Sequence, residues 1–172
     1  PGSETAASYG KSVGRIVFDW SQTDGYLQGD ESYTPRQNKG AWRPTAPAYA
    51  KAVTPYWGDL RSTVIGSMEN TQPLGPIPYS DEQGSEFYKA VKQVFDLSQN
   101  LSEEQKEIAF FWKDINPGVT APGHWMSVLK QILNKEKASL EKAAFAFALT
   151  GMALNDAWIS SWKTRYVYNL LR

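Results

Sequence analysis

The sequence predicts an all-α fold: a helical bundle with a long irregular segment, rich in proline and aromatic residues, wrapped on it. Three observations predict it. Apolar residues recur at helical spacing through the first twenty residues and the second half of the chain. No alternation of apolar and polar residues is long enough to compete as strand. Seven of the ten prolines lie between Pro35 and Pro78, where they remove backbone donors and turn their predecessors away from helix. The 172 residues suit one domain, with a helix over 1–21, the wrapped segment over 22–80 and helices over 81–172.

The first helix is expected from about Glu4 to Trp20, with Ala6, Tyr9, Val13, Ile16, Val17 and Trp20 at helical spacing, and Ser21, Thr23, Asp24 and Gly25 ending it. The next stretch is too long for an ordinary loop. It holds Tyr26, Tyr33, Trp42, Tyr49, Tyr56, Trp57 and Tyr79, and a disordered linker is poor in such residues. It therefore reads as an ordered wrap with helical turns at 47–53 and 57–61. Ser80 with Gln83 has capping-box spacing and predicts a second helix, whose buried face is Phe87, Val91, Val94 and Phe95. Ser102 with Gln105 repeats the device before Ile108, Phe111 and Trp112, and Asn116-Pro117-Gly118 ends that helix. A fourth helix follows Pro122-Gly123 with Trp125, Val128, Leu129, Ile132 and Leu133, and an Ala-rich fifth runs from about Ala138 towards Leu171.

Composition excludes several functions. There are 18 Lys and Arg against 18 Asp and Glu, so no net charge draws the chain to nucleic acid or an anionic membrane. With no Cys there is no disulfide framework, thiol nucleophile or zinc-finger spacing, and one His excludes a two-histidine site within the chain. The apolar run Ala143–Leu149 is far short of the roughly 20 residues that span a bilayer, so no transmembrane segment is expected. No serine-protease triad, phosphate loop or dinucleotide fingerprint is present.

The last helix carries the informative side chains. At about 100° per residue, Asn155, Ile159, Trp162, Tyr166 and Asn169 fall in an arc of about 80°, the expected inward face. Arg165 and Arg172 fall beside it, about 20° apart in angle and roughly 10 Å apart along the axis, so two guanidinium groups could converge on one anion. Lys163 falls about 160° from Arg165 and is not expected to share that site. Asp156 is expected in a salt bridge or hydrogen-bonded to the irregular segment. His124 reads as a helix-start histidine packed with Trp125.

Asn155-Asp156-Ala157-Trp158-Ile159, Trp162 and the run from Arg165 to Arg172 resemble the first active-site motif of the vanadium-dependent haloperoxidase and type 2 phosphatidic-acid phosphatase superfamily. That motif is Lys, six residues, then Arg-Pro. Val17 to Ser21 with Asp24-Gly25, the run from Gly40 to Trp57, and Phe111-Trp112 with Thr120 to Trp125 are similar to soluble bacterial members. The family's Lys position is taken by Arg165. The later Pro-Ser-Gly-His and Ser-Arg motifs, which carry the family's catalytic histidines, do not occur, and Pro122-Gly123-His124 lacks the serine and precedes the first motif.

The resemblance implies a phosphate or vanadate site whose cationic wall is Arg165 and Arg172. These would neutralise oxyanion charge in a five-coordinate transition state. It implies the N-terminal portion of an acid-phosphatase-like or vanadate-haloperoxidase-like enzyme that is periplasmic or secreted. This chain alone is expected to be inactive, with a phosphate ester or other small oxyanion as ligand. A missing C-terminal half or a dimer partner is expected over an exposed apolar patch at Trp162, Tyr166 and Leu170. The alternative is a non-catalytic helical module that uses surface aromatics to bind a carbohydrate or protein.

Overall fold

The structure is a computed structural model that describes residues 2–28, 33–114 and 119–171. It is all-α: α1 (Gly2–Ser21), α2 (Ser67–Asn70), α3 (Glu86–Gln99), α4 (Glu103–Phe111), α5 (Ala121–Lys135) and α6 (Leu140–Tyr168), with single 3-10 turns at Tyr26–Gln28 and Trp57–Asp59. The described residues contain no named strand, only an isolated antiparallel bridge between Ala41 and Leu170. Residues 1–73 with 156–172 form one compact unit and residues 74–155 another.

In the first unit, the irregular segment is fastened to the C-terminal half of α6. Trp57 meets Trp158 edge-on and Trp162 at a tilt, and Trp158 stacks on Trp162 with ring centroids 4.5 Å apart. The Trp57–Asp59 turn comes so close to α6 that only glycine fits at its centre. A Cβ on the buried Gly58 would run into the Lys163 backbone and lie 2.8 Å from its Cβ. Arg61 ties the same segment to the end of α1. Its backbone N–H donates to Asp24 O at 2.9 Å, its guanidinium donates to Trp20 O and Thr23 Oγ1, and it lies 4.1 Å from the centre of the Trp20 ring. Among the described residues, Ile159, Trp162 and Ala41 are the buried apolar ones.

In the second unit, α4 opens with the predicted capping box, Ser102 Oγ accepting from Gln105 N and Gln105 Oε1 from Ser102 N. The expected start of the preceding helix at Ser80 is wrong. The Ser80 hydroxyl accepts from Glu82 N in a turn, and α3 begins at Glu86 with Ser85 accepting from Tyr88 N. Gly84, costly inside a helix, separates the two serines. Helix α5 starts at Ala121, three residues earlier than expected. Thr120 caps it by accepting from Gly123 N, and Pro122 sits in the first turn, where its missing N–H would have had no intrahelical partner. The stop expected at Asn116-Pro117-Gly118 lies outside the described residues.

Periodicity located the helices better than it located the core. The expected faces of α1 and α3 are exposed at Ile16, Val17, Val94 and Phe95, as are Ile108 and Phe111 on α4. A repeat identifies which side chains share a face and does not supply what covers it. The turn expected over 47–53 is a shorter one at 46–48, beside a cis Ala46–Pro47 bond and Tyr49 at φ 45°. The one-turn helix α2, entered through Gly66 at φ 78°, carries too little sequence for any period to show.

Candidate oxyanion site at the end of the last helix

Helix α6 is held in place from Asp156 onward. Asp156 is 8% exposed and accepts from Thr63 N at 2.6 Å, Val64 N at 2.9 Å and Ser67 Oγ at 2.8 Å. Of the two roles expected for Asp156, these contacts show the hydrogen bonds to the irregular segment. A carboxylate suits the position because three donors converge on it, and charge-assisted hydrogen bonds are about twice as strong as neutral ones.

One and a half turns later, the Val53 carbonyl accepts twice, from Trp162 Nε1 at 3.2 Å and from Tyr166 Oη at 2.8 Å. Tyr33 packs edge-on to Tyr166. The loop thereby fixes both rings of the expected inward face. Trp162 is buried, while Tyr166 and Leu170 are half-buried. This overturns the expected exposed patch at Trp162, Tyr166 and Leu170, because the irregular segment itself covers them. Asn155 is also misplaced by the helical map: it is exposed, and its neighbour Asp156 takes the buried position.

Arg165 lies over the Trp162 ring, with its Cζ 4.2 Å from the centroid. It lines a cleft of about 360 Å³ between the 42–53 loop and the end of α6, together with Trp42, Lys51, Tyr166 and Asn169. Among the described residues lining this cleft, Arg165 and Lys51 carry the charge. Lys163 is exposed. Arg172 lies outside the described residues. The helical geometry used to set it about 20° from Arg165 stops at Tyr168. Asn169 turns the chain at φ 48°, and Leu170 pairs with Ala41 through Trp42 N to Asn169 O and Leu171 N to Gly40 O, both 2.8 Å.

Two features were not legible in the sequence. Asn169 is 3% exposed, and its Nδ2 has no hydrogen-bond partner among the described residues. In the other unit, His124 Nδ1 lies 2.8 Å from Asp114 Oδ1, with the two side chains 13% and 14% exposed. The His124 ring stacks on Trp112 rather than on Trp125, and Phe111 stands edge-on to it. The cue was present only as the pair of aromatics before Asp114. No group of three or more His, Cys, Asp or Glu side chains suited to a metal occurs among the described residues.

The solved structure of a bacterial vanadium-dependent iodoperoxidase matches 96% of this chain with a TM-score of 0.85 and 32% sequence identity. The chain belongs to the vanadium haloperoxidase-like superfamily. This superfamily member spans 42% of the length of that iodoperoxidase chain. It matches no protein-family model and no curated protein sequence. Among the described residues, no helix is long and apolar enough to cross a membrane.

Proposed function

We propose that this chain contributes the cationic wall of an oxyanion site, Arg165 with Arg172, to a vanadate-haloperoxidase-like enzyme. The observation that carries the reading is the position of Arg165. It is held over a buried tryptophan and lines a cleft together with Lys51, in a chain similar at 32% identity to an iodoperoxidase. A planar guanidinium matches the geometry of phosphate and vanadate oxygens and stays charged at any physiological pH. The residues present therefore fit vanadate or phosphate. Bound there, vanadate would supply the oxyanion chemistry of halide oxidation; Arg165 would hold and neutralise its oxygens, and the Val53 carbonyl would hold Trp162 beneath Arg165. The sequence similarity to an iodoperoxidase favours haloperoxidase over phosphatase activity.

The reading includes partner surfaces and a periplasmic or secreted location. Exposed apolar residues on α1 and α3, such as Ile16 and Val94, suit cover by further polypeptide or a second copy. The test is to assay the complete natural protein for iodide oxidation and for phosphomonoester hydrolysis, with and without vanadate. Vanadate-dependent iodide oxidation is expected. Absence of both activities and of vanadate binding removes the reading.

A further inference from the structure

Oxyanion binding by the two arginines does not explain the cleft's other walls. Among the described residues, its lining combines the Trp42 ring, Pro44, Pro47, Val53 and Leu170 with the cations Arg165 and Lys51. A bare phosphate has no use for an apolar surface of this kind. A volume of about 360 Å³ lies in the range of small-molecule pockets. Asn169, which also lines it, is 97% buried (3% exposed) and carries an Nδ2 donor with no partner among the described residues. A buried donor left unsatisfied costs free energy, and that cost is recovered when a ligand oxygen accepts from it.

We propose that the cleft binds a small organic anion with an apolar body. Its carboxylate or phosphate oxygen accepts from Asn169 Nδ2 and faces Arg165, while its hydrocarbon part lies along Trp42 and the loop prolines. The Asn169 amide nitrogen is sealed from water, so binding includes its rotation about χ2, a broad torsion. Asparagine suits this floor position for a second reason: its backbone is left-handed at φ 48°, a conformation that Asn and Asp adopt more readily than other side chains. The proposal shares Arg165 with the oxyanion reading and goes beyond it, because the ligand's organic part and Asn169 are specified here.

The test is an NMR titration of the ¹⁵N-labelled chain with benzoate, phenyl phosphate and inorganic phosphate. It follows the Asn169 side-chain amide, assigned by its loss in Asn169→Asp. Asp keeps the left-handed backbone and replaces the donor with a negative charge. At least one aromatic probe is expected to shift this amide and to bind about tenfold or more tighter than inorganic phosphate, equivalent to about 1.4 kcal/mol. Asn169→Asp and Trp42→Leu are each expected to weaken that binding about tenfold. Preference between benzoate and phenyl phosphate assigns the head group as carboxylate or phosphate ester. The proposal is overturned if no probe moves the Asn169 amide, if inorganic phosphate binds as tightly as both aromatic probes, or if both variants bind like the wild type. Aromatic-anion binding that persists without vanadate binding removes the vanadate-haloperoxidase reading alone. Vanadate binding without aromatic-anion binding removes this proposal alone.

Discussion

The Arg165 guanidinium rests on the Trp162 ring at 4.2 Å, and that ring is itself pinned through Nε1 to the carbonyl of Val53. The loop therefore positions the arginine through the tryptophan. A Trp162→Phe chain keeps an aromatic face but loses the indole donor and part of the ring volume. It is expected to lose about 1–3 kcal/mol of unfolding free energy, read from urea titration, with helical circular dichroism retained.

Gly58 and Lys163 set how closely the loop approaches α6. Gly58→Ala places a methyl group on the Lys163 backbone, and neither partner is the flexible end of a side chain. The expected cost is about 3 kcal/mol, seen as a lower urea midpoint. An unchanged midpoint would show that the Trp57–Asp59 turn does not pack against α6.

Asp156 closes three hydrogen bonds at once. Asp156→Ala leaves two backbone donors and a hydroxyl without their acceptor, at about 1–3 kcal/mol for each buried donor that water does not reach. Ser67→Ala removes one of the three and is expected to cost about 1 kcal/mol. The ordering, with Asp156→Ala well beyond Ser67→Ala, is checked by thermal denaturation of the two variants side by side.

How much of this was legible in the sequence follows from the range of each interaction. Local signals succeeded where the physics is local. The Ser102 and Gln105 side chains bond each other's backbone within one turn, and the box was read correctly. It failed at Ser80, where a nearby serine offered a rival cap and Gly84 tipped the choice. The long-range facts were out of reach. Gly58 is separated from Lys163 by more than a hundred residues, and only the packed fold shows that a Cβ there has no room. The same holds for Val53, whose carbonyl accepts from two rings of α6, and for the coverage of Trp162. Arg165 is a candidate by resemblance and by its side of the helix, and its seat on the Trp162 ring shows only in the fold. Asn169 was assigned to an inward helical face, whereas it is buried because the chain leaves the helix there and pairs with residues 40–42.

His124 and Asp114 link the start of α5 to the segment that follows α4. The expected effect of His124→Ala is a loss of about 1–3 kcal/mol, through the ring stack on Trp112 and the contact to Asp114. Hydrogen exchange resolves it: amides in the first turns of α5 should exchange faster in the variant. Unchanged exchange would show that the pair does not hold those turns.

The central claim is that Arg165 binds an oxyanion. The most direct measurement is a calorimetric titration of orthovanadate into the complete natural protein and its Arg165→Ala variant, with circular dichroism confirming that both are folded. Loss of one charge-assisted contact of about 1.5–3 kcal/mol predicts binding weakened roughly 10- to 150-fold. Vanadate binding of equal strength in the two proteins, or none in the wild type, would contradict the account.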